Sequence, residues 1–243
     1  MRAKGLVGMT ALTACVLALL VGLGVWQLKR LAWKEGLIAQ IEARSTAAPI
    51  TLKAAVAAAG NGDASYLRVR VQGRFLNDKE RYLYTLSDGA PGWEVITPLA
   101  TADGDMVLVD RGFVPDALRD PASRPQGQTE EVVAVTGLVR APETPETKGT
   151  FTPDNDPARN RWFWRDLTGM VGSMFPAGAT GAAPFFLAAE RSDIPGGWPQ
   201  GGQTRLALAN NHLQYAITWF ALAFCIVVIY AFYVRSRLRE GTP

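Results

Sequence analysis

The chain has 243 residues, with 25 Lys and Arg against 22 Asp and Glu, one histidine and two cysteines. Arg2, Lys4, Arg235, Arg237 and Arg239 face only Glu240 in the two tails, so the middle of the chain is near charge balance. The basic pI therefore belongs to the tails and implies no nucleic-acid partner. Both cysteines, Cys15 and Cys225, fall in uncharged apolar runs, which excludes a disulfide or a CxxC metal site from the polar remainder.

From Gly5 to Leu28 no residue is charged, and a bilayer needs only about 20 apolar residues. The sequence predicts a cytoplasmic tail over 1–5, a membrane helix over 6–28, a periplasmic domain over 29–211, a second membrane helix over 212–234 and a second cytoplasmic tail over 235–243. Lys and Arg in short flanking segments stay on the cytoplasmic side, which sets this orientation. Met1 to Gly5 is short for a transit peptide, so a bacterial plasma membrane is the expected home; a retained anchor is favoured over cleavage or lipidation at Cys15, because the apolar run continues well past that residue. Ala14, Ala18, Gly22 and Trp26 lie four apart, a small-residue stripe expected to receive the second span.

Leu31, Leu37, Ile38 and Ile41 continue a helical spacing beyond the first span. Thr51 is placed to cap an Ala-rich helix ending near Gly60. The period then changes to two. Strands are expected at Tyr66–Phe75, Arg81–Leu86, Trp93–Leu99, Met106–Val114, Glu131–Val139, Arg161–Asp166, Pro184–Ala189 and Arg205–Ala209, separated by loops dense in Pro, Gly and Asp. The fold class is thus a membrane protein: two transmembrane α-helices flanking an extracytoplasmic α+β domain rich in antiparallel strands, curled towards a barrel.

No Gly-rich phosphate loop occurs, and no second histidine could complete a zinc site. Arg161-Trp162-Phe163-Trp164-Arg165 could stack a flat ligand or lie on lipid headgroups, but an aromatic segment filling its own core is the simpler expectation. Asp154 and Asp156 read as a solvated loop. Arg111-Gly112 follows an apolar strand, where Gly can turn the chain and Arg can tie down a carbonyl or carboxylate.

The one histidine, His212, opens the second span in the polar-aromatic run Asn210 to Phe220. Its bland reading is a solvated interfacial side chain. The alternative is haem: imidazole is the usual protein ligand for haem iron, and apolar helix below with water and cations above suits a porphyrin with propionates. The two-span topology brings Trp26, Gln27 and Arg30, at the end of the first span, to the depth of His212 in the second. Arg30 is the expected propionate cation, Trp26 and Gln27 would hold the macrocycle edge or a peripheral polar group, and Tyr215, one turn on, is a second possible iron ligand.

Four landmarks in order also resemble the Surfeit locus protein 1 (Surf-one) family of cytochrome c oxidase assembly factors. They are Gly24-Val25-Trp26-Gln27 with Arg30; Gly92-Trp93-Glu94-Val95-Ile96-Thr97-Pro98-Leu99; Val107-Leu108-Val109-Asp110-Arg111-Gly112-Phe113-Val114-Pro115; and Asn211-His212-Leu213-Gln214-Tyr215-Ala216-Ile217-Thr218-Trp219-Phe220. Asp110 and Phe113 depart from the family's more usual Asn and Trp. The resemblance implies a non-enzymatic chaperone that binds haem a, with His212 as the axial iron ligand, and helps place it in oxidase subunit I. Subunit I, haem A synthase and membrane lipid are the implied partners. The alternatives are a membrane scaffold that never touches haem, and a membrane enzyme using His212.

Overall fold

The computed structural model describes residues 2–203 and 210–239. The chain forms two compact units: one is helix α1 (Arg2–Thr46) as far as Gln40 together with helix α4 (His212–Arg239), the other the intervening chain from Ile41 onward. α1 runs unbroken through the apolar run and the predicted helical extension beyond it, because no Pro interrupts its 45 residues. Both helices are long and apolar enough to cross a membrane.

The second unit is a β-barrel. Its strands are β1 (Ile50–Thr51), β2 (Arg68–Phe75), β3 (Arg81–Ser87), β4 (Ala90–Ala100), β5 (Met106–Pro115), β6 (Val133–Arg140) and β7 (Ala182–Ala189). They pair in the order β1-β2-β6-β7-β5-β4-β3, and an additional β2–β4 pairing through Arg74↔Ala100 and Phe75↔Leu99 closes β2-β6-β7-β5-β4 into a five-stranded barrel. Closure removes the open edges that a curled sheet would keep. Most ladders are antiparallel; β5–β7 and β1–β2 are parallel.

Alternation along the strands sorts the core. Val69, Val71, Val107, Val109 and Leu187 fill the interior with Phe185 and Leu99, and helix α2 (Leu52–Gly60) plugs it with Leu52 and Ala55. Thr51 caps α2 as expected, its hydroxyl accepting from the Ala54 amide at 3.2 Å. The neighbouring residues Leu108, Ile96 and Phe186 point outward, yet they are buried under helix α3 (Leu167–Met174) through Met170 and Met174. Strands covered on both faces read as nearly continuous apolar runs, as β4 and β5 do.

Two expectations fail. Arg161–Asp166 is no strand; it touches the sheet only through an isolated Leu83↔Trp162 bridge, and Trp162 and Trp164 are buried as core. The loop expected over 172–183 begins inside α3, which Asp166 caps by accepting from the Gly169 amide at 2.8 Å. The expected strand Arg205–Ala209 lies outside the described residues.

The Arg111-Gly112 motif holds the barrel together. Arg111 is 4% exposed and donates to the Glu80 carboxylate at 3.4 Å, to Asn77 at 3.3 Å and to the Gly127 carbonyl at 2.5 Å. Arg124, Tyr82 and Gln128 converge on the same carboxylate. Burial lowers the Arg111 pKa to about 10, with the Glu80 charge opposing that shift and the Arg124 charge adding to it. Gly112 has φ +115° and lies so close to the Gln200 carbonyl that a Cβ would sit 2.0 Å from its oxygen. No other residue fits there.

Candidate functional site

The helical unit is pinned at three levels. Phe220 of α4 lies flat against Gly24 of α1, where a Cβ would come within 2.7 Å of the ring. Leu20, Ala216 and Ala223 are buried around it. The small-residue stripe expected to make this contact does not: Ala14, Ala18, Gly22 and Trp26 are all exposed, and nothing lies within 4 Å of a Cβ added at Gly22. The contact lies on the face of Gly24, which is buried where Gly22 is exposed.

Hydrogen bonds close the pair at either end. At one end the Thr10 hydroxyl donates to the Leu6 carbonyl at 2.8 Å, so the Tyr230 hydroxyl, 2.6 Å away, must be the donor to Thr10. At the other end His212 Nδ1 lies 2.7 Å from Gln27 Oε1. With the amide oxygen facing the ring, the contact is the one made by the Nδ1–H tautomer, since an amide oxygen accepts and cannot donate. Thr10 and Gln27 are 17 residues apart in an unbroken helix, which places the two polar contacts about 26 Å apart along α1, close to the thickness of a bilayer's hydrocarbon core.

Gln27 is only 9% exposed, although glutamine in an apolar span is costly unless partnered. His212 provides that partner, and no hydrogen bond to His212 Nε2 occurs among the described residues. Asn211 opens α4 by accepting from the Tyr215 amide at 3.2 Å. This fixes the imidazole in the first helical turn.

Of the residues expected at a site, the structure brings Gln27 and His212 together. Trp26 and Tyr215 are each 55% exposed. The Arg30 guanidinium stacks over the Trp33 ring at 4.1 Å, one turn along α1. Sequence reading gave no part to the Gly24–Phe220 contact or to Trp33, nor to Trp219 Nε1 and Asn210 Oδ1 as buried polar atoms with no hydrogen-bond partner among the described residues. The i, i+3 spacing of Arg30 and Trp33 was a usable signal; the Gly24–Phe220 contact had none, since any of several α4 aromatics could have met that helix.

The barrel unit offers a cavity of about 480 Å³ lined by Phe75, Arg111, Val133, Val135, Glu190 and Ile194. Its buried cation is already committed to Glu80, Asn77 and Gly127, and Glu190 is paired with Arg68 at 2.7 Å. The described residues contain no cluster of three or more His, Cys, Asp or Glu side chains able to hold a metal ion.

Fold and site define a class: a protein with two apolar, membrane-length helices at its ends, a closed barrel between them, and a single imidazole presented at the head of one helix. A family profile described as the SURF1 family matches residues 14–224. Surfeit locus protein 1 of Homo sapiens is 40% identical over 240 residues, covering 91% of this chain and 75% of that protein. The Takifugu rubripes protein of the same name is 38% identical over 88% of this chain and 91% of its own length, and a SURF1-like protein of Monosiga brevicollis is 37% identical over 91% and 88%. The chain belongs to the SURF1 family. Membership supports a role in cytochrome c oxidase assembly.

Proposed function

We propose that the protein carries haem a at the head of α4 and hands it to oxidase subunit I during assembly. The observation that carries this reading is the sole histidine with Nδ1 tied to Gln27 and, among the described residues, no hydrogen bond to Nε2. That donor set fits haem iron, which takes a neutral imidazole nitrogen. Trp26 and Tyr215 offer exposed aromatic faces beside Gln27 and one turn from His212, and Arg30 remains exposed as a partner for a propionate. The protein acts as a carrier and not as an enzyme, with both tails cytoplasmic, the barrel periplasmic, and haem A synthase as the source of the cargo.

The decisive experiment is haem titration of the purified full chain and of His212→Ala, with oxidase haem a content measured in cells holding each as sole copy. Loss of the haem spectrum together with oxidase poor in haem a at equal subunit I is the expected result. Normal haem loading of the alanine variant would overturn the assignment and favour a scaffold that never touches haem. For the orientation, an active periplasmic reporter fused after Arg239 would reverse it.

A further inference from the structure

We infer that Gln27 is a positioning residue that selects the tautomer of His212: its side-chain oxygen holds the proton on Nδ1 and so leaves Nε2 as the nitrogen presented to iron. This rests on the carrier reading for its purpose, but its structural half stands without haem.

The geometry supports it in three ways. The 2.7 Å contact is short for a hydrogen bond of this kind, and it can form only with the proton on Nδ1. Gln27 is 9% exposed, so water competes poorly for its oxygen, and breaking the bond would strand a polar group in an apolar helix pair. Gly24, one turn back, lets Phe220 close over the same face. That contact fixes the rotation of α1 against α4, and the glutamine therefore meets the imidazole without searching.

The consequence for ligation follows from elementary chemistry. An imidazole nitrogen carrying a proton cannot bind iron, so an unrestrained ring divides its population between a competent and an incompetent tautomer. An acceptor at Nδ1 removes the incompetent one, fixes the ring plane and raises the electron density at Nε2. Sequence position suggested that Gln27 would hold the macrocycle edge or a peripheral polar group; in the structure its oxygen lies 2.7 Å from His212 Nδ1.

Because the chain has one histidine, ¹⁵N-histidine labelling of the full-length protein in lipid nanodiscs yields a spectrum of this ring alone. At alkaline pH and without haem, the wild type should show a protonated Nδ1 and a bare Nε2. Gln27→Leu should shift the ring towards the Nε2–H form, and Gln27→Glu, which keeps an oxygen of the same reach, should restore the wild-type pattern. Haem titration of the same samples should show affinity falling about ten- to hundredfold in the leucine variant, the usual cost of losing such a partner, with recovery in the glutamate variant. A wild-type ring protonated on Nε2, or a leucine variant that keeps the Nδ1–H form, would overturn the inference. So would unchanged haem affinity in Gln27→Leu despite a changed tautomer. A wild-type chain with the Nδ1–H tautomer that binds no haem would instead overturn the carrier reading and support the tautomer assignment by itself.

Discussion

Glu94 offers a test of the barrel's electrostatics with a defined sign. Its carboxyl is 9% exposed on β4, beside Asp110 of β5, and Arg165 reaches Glu94 at 2.5 Å and Asp110 at 3.7 Å. Burial first, and then the Asp110 charge, push the Glu94 pKa up to about 8 from an ordinary value of 4.5, against the opposing pull of Arg165 and Arg140. The folded barrel therefore keeps a proton that the unfolded chain has released. Where the native state binds more protons, stability falls as pH rises, so the contribution of this group is complete below about pH 4.5 and is lost up to about pH 8. The slope for one proton is about 1.4 kcal/mol per pH unit, hence roughly 3 kcal/mol across two units inside that window. Gln at position 94 mimics the protonated carboxyl and cannot titrate. Opening free energies of the β4–β5 amides, measured by hydrogen exchange and corrected for intrinsic rates, should fall with pH in the wild type relative to Glu94→Gln. A slope shared by both proteins, or wild-type stability that rises with pH, would show that Arg165 outweighs burial and that Glu94 is ionised in the fold.

Gly24→Leu should separate α1 from α4, since its side chain would enter the Phe220 ring, whereas Gly22→Leu should leave the pair intact, having open space around it. Spin labels on the two native cysteines, both exposed, would read this as a broadened distance distribution in the first variant only. Arg111→Ala should cost about 3 kcal/mol, the lower end for breaking a buried ion pair, because Arg124, Tyr82 and Gln128 still satisfy Glu80; thermal unfolding of the full chain in detergent gives the value.

Much of the architecture was readable because the signals were periodic. Uncharged runs marked both apolar helices, and alternation placed β2 to β7 to within a few residues. Barrel closure was not readable, since it depends on two register pairs at Arg74 and Phe75 that no local pattern encodes. The segment 116–128 looked like solvated loop, yet its Arg124 is 5% exposed and clamps Glu80. A charge in a Pro- and Gly-rich stretch gives no sign that its partner, 44 residues earlier, is buried. At the candidate site, residue type alone singled out His212, and topology suggested Gln27 as a neighbour. Whether Gln27 would face ligand or histidine turned on the rotation of α1, which Gly24 and Phe220 set and which the apparent stripe at Ala14, Ala18 and Gly22 would have placed on another face.

The polar contacts of the helix pair also bear on how cargo could leave. A carrier must hold its ligand more weakly than the recipient does, and this chain supplies one imidazole, with no second histidine to close the opposite axial position. Its neighbours Trp26 and Tyr215 are each more than half exposed. On the carrier reading proposed above, binding would rest on one iron bond, aromatic contact and an exposed cation. On that reading a recipient offering two axial ligands in a buried pocket would win by iron coordination and apolar burial together. On the same reading Gln27, bonded to His212 Nδ1, would ready the single ligand and add no bond that has to break when the iron departs.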